Sequence, residues 1–381
     1  MSKKNLELFC VCLAGFAYSA NYTNHAPLAS VLMQTFSFDK MMAGFLTTGI
    51  FATHALMQIP GGHLADTYGG KKVLAVALLI VVVGNFGISL SGSYTQLLFW
   101  KTFVGFGTGV SFVSGARYVA QVIPQEMLHR AQGMYGGSIL LGSGFVIFAV
   151  PQLNAHFGWS GAFICTALIA TTALIIWLTW APPVEMKQHP HVSFGSLLSH
   201  GQLWLLGMVQ MASFGLVLVT GSWITELLKK NFSMDLKQAG AYGSIVLLFG
   251  LIGRTTGGGL IRRLGYRNLL LFSLSLNLIG CLILSSLTAS LFLIILAMMI
   301  LGLGSGFPYA ALFNRAVALF PGRGGAAMGL VNMMGIIMIL AGAPLVGKIV
   351  DMTGDFSVAF LSLAGFVLIA MLASLAIKKS H

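Results

Sequence analysis

This chain is poor in charge. Asp, Glu, Lys and Arg make up 8% of its 381 residues, against about a quarter in a soluble domain. So little charge excludes a soluble fold, and the mean hydropathy of +0.89 points to helices solvated by lipid. Acids are scarcer than bases, nine against 21. None of the nine falls near the middle of an apolar run. Glu226 comes closest, towards the outer end of one, before Lys229 and Lys230. Cysteine is sparse too. Cys10, Cys12, Cys165 and Cys281 sit in apolar runs without ligand spacing, which excludes a disulfide framework or a cysteine metal site. They read as small buried hydrophobes. No catalytic triad, nucleotide-binding loop or metal motif occurs, so no enzymatic activity, cofactor or metal is expected. Gly302-Leu303-Gly304-Ser305-Gly306-Phe307 lacks the Lys that follows a phosphate loop and reads as helix packing. The net charge of +12 does not indicate nucleic acid, because the bases cluster at the ends of apolar runs, as the positive-inside rule requires.

What is present is length. Apolar runs of roughly 20 residues cross ~30 Å of hydrocarbon. Twelve are read, near residues 6–34, 41–65, 72–91, 95–123, 131–153, 158–181, 202–228, 239–261, 267–286, 289–319, 326–350 and 356–377. The first is too long for a cleaved signal and reads as a retained span. A polar segment, 182–200, carries Pro182, Pro183, Glu185, Lys187, His189, Pro190 and His191. It reads as a cytoplasmic linker between two halves, 1–181 and 201–381. With the N-terminus inside, Lys3, Lys4, Lys71, Lys72, Arg130, Lys187, Arg262, Arg263, Arg267, Arg323, Lys378 and Lys379 are cytoplasmic. Lys40, Lys229, Lys230, Lys237 and Lys348 are then outside. That balance puts both termini in the cytoplasm.

The chain also repeats itself. Gly61-Gly62-His63-Leu64-Ala65-Asp66-Thr67-Tyr68-Gly69-Gly70-Lys71-Lys72 is echoed 196 residues later as Gly257-Gly258-Gly259-Leu260-Ile261-Arg262-Arg263-Leu264-Gly265-Tyr266-Arg267-Asn268. Ala43-Gly44 returns at the same offset as Ala239-Gly240, and Gly105, Gly107 and Gly109 match Gly302, Gly304 and Gly306. Parallel halves of this kind build one large class of transporters. The first loop, its echo, and Pro124-Gln125-Glu126-Met127-Leu128-His129-Arg130-Ala131-Gln132-Gly133 together resemble the major facilitator superfamily over the whole chain. The resemblance implies an all-α membrane protein with twelve transmembrane helices in two pseudo-symmetric six-helix bundles. It implies alternating access, a multi-pass location in a bacterial inner membrane, and a monomer in the lipid bilayer. It also implies a conformational latch in which Gly62, Asp66, Gly69 and Lys71 act with Arg130 and the end of span eleven. Residues alone leave a plainer reading open, with Asp66 a helix breaker and Lys71 and Lys72 topology signals.

Charges inside spans are expensive and face a cavity or a partner. Arg254 lies eight residues before Arg262, ~12 Å in from the cytoplasmic end. Arg117 and Arg315 occupy near-equivalent places in spans four and ten, close enough to the surface to snorkel instead. Guanidinium forks match oxyanions bidentately, so the three arginines suggest a small anionic solute. Tyr18, Asn21, Tyr22 and His25 follow the i, i+3, i+4, i+7 spacing of one helix face, which lipid would not tolerate. His54 and Gln58 form an i, i+4 pair, and Gln58 aligns with Arg254 in the repeat. Tyr18, Asn21, Tyr22 and Gln58 therefore join the arginines as candidate solute ligands. Histidine as a residue type titrates near physiological pH, so His25 and His54 are candidates for proton coupling, with Glu226 and Lys101. The family often has Arg before the glycines of span four, where this chain has Lys101. Ser138 and Leu141 replace the Pro and one Gly that its antiporters often carry in span five. The expected function is secondary transport of a small anionic solute, coupled to H+. The alternative is movement of amphipathic compounds of drug or siderophore type.

Overall fold

The computed structural model describes residues 3–184, 194–234, 236–286, 290–320 and 323–377. Glu185, Lys187, His189, Pro190 and His191 of the expected linker lie outside them, as do Asp235, Pro321, Lys378 and Lys379. Among the described residues the regular structure is entirely helical. The chain forms two compact units, and neither is continuous in sequence.

The first unit comprises residues 1–131, 138–192 and 317–329. It holds α1 (Lys3–Tyr22), α2 (Ala29–Phe36), α3 (Lys40–Leu56), α4 (Gln58–Tyr68), α5 (Gly70–Ser89), α6 (Tyr94–Val122) and most of α7 (Gln125–Trp180). Two expected spans are broken. Span one stops at Tyr22 and resumes at α2 through a 3-10 turn, Ala26–Leu28, because Pro27 has no N–H to carry the helix on. Span two bends by 42° between α3 and α4, where Pro60 deprives the Leu56 carbonyl of its helical donor. Gly69 ends α4 at φ 89°, a conformation only glycine adopts without strain. The opening of α7 doubles back at Gly158, φ 68° and ψ 174°, so this 56-residue element is two spans. That turn lies where expected spans five and six adjoin.

The second unit comprises residues 132–137, 193–316 and 330–381. It holds α8 (Phe194–Leu198), α9 (Gly201–Gln210), a π-turn (Met211–Gly215), α10 (Leu216–Phe232), α11 (Leu236–Gly243), α12 (Ile245–Leu264), α13 (Tyr266–Leu284), α14 (Leu291–Gly306) and most of α15 (Tyr309–Leu319). It also holds most of α16 (Gly324–Thr353) and all of α17 (Ser357–Ser374). Gly265 ends α12 at φ 75°, repeating the Gly69 turn at the offset of 196. Gly302 and Gly306 lie in α14, and a Cβ on either would overlap α12 backbone, at the Val246 and Gly250 carbonyls. The stretch that imitates a phosphate loop is thus helix packing.

Among the described residues nine helices are long and apolar enough to cross a membrane, and the bent α3–α4 pair makes ten. Dividing α7 at Gly158 gives eleven, and α1 with α2 completes twelve. Polarity is arranged for lipid. Along α5, Val76, Leu79 and Val83 are exposed, whereas Asn85 is wholly buried.

Candidate functional site

In the second unit, Arg254 projects from α12 and is buried. Its guanidinium carbon lies 4.5 Å from the Tyr309 ring centre and 5.1 Å from that of Phe214. Nη1 donates to the Gly136 carbonyl at 2.9 Å. Gly136 has no side chain because a Cβ there would overlap the Tyr309 ring. Both aromatic partners stand at helix irregularities. Phe214 sits in the π-turn, whose Ala212 carbonyl accepts from Asn277 Nδ2 at 2.8 Å. Tyr309 begins α15 just after Pro308 ends the continuity of α14. π-turns are rare and recur at functional sites. Aromatic rings beside a guanidinium attract its charge, and its five N–H donors lie in the plane of the fork. The guanidinium is buried beside two aromatic rings, and its chemistry suits an oxyanion.

In the first unit the polar face of span one is buried. Tyr22 packs against Phe51 and His54, with ring centres 4.7 and 4.9 Å apart. His54 Nδ1 pairs with Thr108 Oγ1, and His25 Nε2 with Thr47 Oγ1, each at 3.0 Å. Gln58 Nε2 donates to the His54 and Gly109 carbonyls, both at 3.2 Å. Tyr18 and Asn21 are also buried; Asn21 donates to the Ala17 and Thr166 carbonyls. Asn21 Oδ1, Tyr22 OH and His25 Nδ1 have no hydrogen-bond partner among the described residues. Lys101 is fully buried, and Nζ donates to Asn24 Oδ1 at 2.6 Å and to the Asn21 carbonyl at 3.2 Å.

The same unit contains a third cluster. Asp66 Oδ1 lies 2.7 Å from Arg117 Nε, and its two oxygens accept from Gly325 N at 3.0 Å and Ala326 N at 3.1 Å. Those amides are at the start of α16, where N–H groups lack helical acceptors and the helix dipole favours an anion. The close approach requires glycine. A Cβ on Gly62 would overlap the Gly325 carbonyl, and one on Gly329 would overlap that of Gln58. Gln58, Gly62 and Asp66 therefore form one stripe of α4 against Gly325 and Gly329.

These positions redistribute the arginines read from sequence. Arg117, read from sequence as a candidate solute ligand, pairs with Asp66 at 2.7 Å. Arg130, expected beside Asp66, is exposed, and Arg117 takes that place because it comes from inside α6. Arg315 is half-buried in α15. Glu226 is exposed and pairs with Lys229 at 3.0 Å. Lys71 does more than mark topology, since Nζ bonds the Ala181 carbonyl at the end of α7. Sequence reasoning missed Phe214 and Tyr309. The interrupted Phe307-Pro308-Tyr309 in a span was a signal for the second. It also missed Asn85 and Thr166, which hold Asn24 by its Nδ2 at 3.0 and 2.9 Å.

Two six-span halves with paired glycine turns, buried polar clusters and broken helices define a membrane transporter. A family model described as Major Facilitator Superfamily matches residues 11–225 and 203–380, and the chain belongs to that family. It is 24% identical over 332 residues to the "Probable nitrate transporter NarT" of Staphylococcus epidermidis, covering 86% of this chain and 84% of that one. It is 22% identical over 341 residues to the "Probable nitrate/nitrite antiporter NarK1" of Thermus thermophilus, covering 80% and 76%. The crystal structure of the human organic anion transporter MFSD10 (TETRAN) superposes with a TM-score of 0.83 at 16% identity, covering 98% of this chain and 100% of that one. That likeness shows the fold alone. The protein is a multi-pass integral membrane protein and not an enzyme.

Proposed function

We propose that this transporter moves a small anion across a bacterial inner membrane by alternating access, with both termini in the cytoplasm, and that Arg254 is the residue that binds it. The observation that carries the reading is the buried guanidinium held between Phe214 and Tyr309. A charge at that depth is retained at a cost of several kcal/mol, on the order expected for a functional group. The relatives named as nitrate or nitrite transporters support an oxyanion small enough for one guanidinium fork. Arg315 and the polar face of span one, with Tyr18, Asn21, Tyr22 and Gln58, are secondary candidates for contact with the solute. Coupling to H+ is assigned to His25 or His54, since no acid lies at mid-span. The α4–α16 cluster around Asp66 serves as the latch that makes and breaks during the cycle, with Gly69 and Lys71 fixing the adjoining turn.

The test is thermal stabilisation of the purified protein by nitrate, nitrite and small carboxylates against neutral solutes of equal size, followed by uptake into proteoliposomes. Stabilisation by anions in the wild type and its loss in Arg254→Ala is the expected result. Stabilisation by amphipathic neutral or cationic compounds instead would replace the reading with drug or siderophore transport.

A further inference from the structure

The break in span one is built around a cation. At the end of α1 the last carbonyls lose their helical donors, and the helix dipole concentrates negative charge there. Lys101, reaching from α6, places its ammonium at this point. Nζ donates to the Asn21 carbonyl at 3.2 Å and to Asn24 Oδ1 at 2.6 Å, and lies 5.9 Å from the centre of the Phe163 ring. Asn24 is itself oriented, because its Nδ2 is held by Asn85 Oδ1 and Thr166 Oγ1. Its oxygen is thereby turned toward Nζ. Asn85 is fixed in turn by the Val81 carbonyl at 2.8 Å. A backbone carbonyl and a carboxamide oxygen, the second oriented by its own set of hydrogen bonds, with an aromatic face beside them, are donor chemistry that suits a monovalent cation. Carbonyls unwound from broken helices coordinate coupling ions in other transporter folds.

We infer that this break is a monovalent-cation site whose occupant is the ammonium of the protein's own Lys101. The side chain is a positioning group in this assignment and not a proton carrier. Its fixed charge holds the Asn21 carbonyl and Asn24, and so sets the angle at which the polar face of span one leaves α1. A transporter with a tethered occupant has no need of a free sodium or potassium ion at this place. The inference is independent of the solute and of the role of Arg254.

The experiment is chemical rescue, read as melting temperature in detergent without solute. Lys101→Ala removes the ammonium and leaves the oxygen cage with space. The expected result is a lowered melting temperature that methylammonium restores, saturating with concentration, while choline at equal ionic strength does not. Lys101→Met fills the space without charge and is expected to be lowered and unrestored. The wild type is expected to gain no stability from methylammonium, sodium or potassium. Equal melting temperatures for Lys101→Ala and the wild type would overturn the inference, as would a loss in Lys101→Ala that no small cation repairs. Should Lys101→Ala not be recovered folded even when purified in methylammonium, the wild-type measurement decides. Saturable stabilisation of the wild type by sodium or potassium, abolished in Asn24→Ala, would show that the site takes a free ion and overturn the tethered occupant. Its absence in the wild type is the outcome the inference requires.

Discussion

Asp66→Asn is the sharpest perturbation of the latch. The carboxylate spans two α16 amides at 3.0 and 3.1 Å and a guanidinium at 2.7 Å, and both charged side chains are less than a tenth exposed. A carboxamide keeps one acceptor and turns an NH2 group toward the other partners. One charge-assisted hydrogen bond is lost, worth about 1.5–3 kcal/mol, and Arg117 is left buried without its counter-charge. Breaking a buried pair from one side costs about 3–5 kcal/mol. The carboxylate's own desolvation is relieved, which offsets part of this. A net of about 3 kcal/mol remains, or about a hundredfold in the population of the state that contains the contact. Hydrogen exchange measures it directly, since the Gly325 and Ala326 amides are the donors. Their protection is expected to fall about a hundredfold in Asp66→Asn, with slower solute turnover and little change in solute affinity. Removing both partners, in Asp66→Asn with Arg117→Met, is expected to cost less than Asp66→Asn alone, because no charge is then stranded. Unchanged protection at Gly325 and Ala326 together with unchanged turnover would refute the latch and leave the loop a topology signal.

The remaining expectations concern the solute, the proton and the packing. Arg254→Ala is expected to abolish anion stabilisation and uptake with the protein still folded, and Arg254→Lys to fail as well, since an ammonium cannot reproduce the guanidinium fork; full uptake by Arg254→Ala would remove this residue from the site. The double variant His25→Gln, His54→Gln is expected to lose accumulation driven by a proton gradient while keeping counterflow, and continued concentrative uptake would exclude both histidines as coupling groups. Gly329→Ala and Gly133→Ala are each expected to destabilise, because the added methyl meets a backbone carbonyl of α4 or α12 and overpacking costs about 1–3 kcal/mol; melting temperatures equal to wild type would show that these helices part freely at the contact.

The spans were legible because each is a local signal. Length and apolarity mark a crossing, and glycine marks its turn, so Gly69, Gly158 and Gly265 stand where the sequence pattern punctuates. The interruptions at Pro27 and Pro60 were harder to see. A transmembrane helix tolerates proline, and the side chains that bond carbonyls close to each break, Lys101 at Asn21 and Gln58 at His54, are known only in three dimensions. Lys101 stands 77 residues from Asn24, beyond the reach of any periodicity. Phe214 was invisible for a different reason. It is one of 27 phenylalanines, and only the π-turn that aims it at Arg254 separates it from residues that face lipid. Arg254 itself was legible, because an arginine inside an apolar run has few structural excuses. Arg117 met the same description and turned out to serve Asp66, since sequence shows that a charge needs a partner and not which one it takes.

The duplication explains why the repeat reveals packing better than chemistry. Gln58 and Arg254 are equivalent at the offset of 196, and so are Gly133 and Gly329. In the first unit a Cβ on Gly329 would overlap the Gln58 carbonyl; in the second, a Cβ on Gly133 would overlap the Arg254 carbonyl. One backbone contact is thus present twice, with glycine on one side and a carbonyl on the other. Such a contact constrains the small residue and is indifferent to the side chain that shares its residue with the carbonyl. That side chain was left to diverge. Gln58 turns inward to the His54 and Gly109 carbonyls of its own unit, whereas Arg254 spreads between two rings and reaches Gly136. Glycines that match between the halves therefore report how helices meet. The position where the halves differ, a neutral amide in one and a guanidinium in the other, is the one to which the proposed function assigns the preference for an anion.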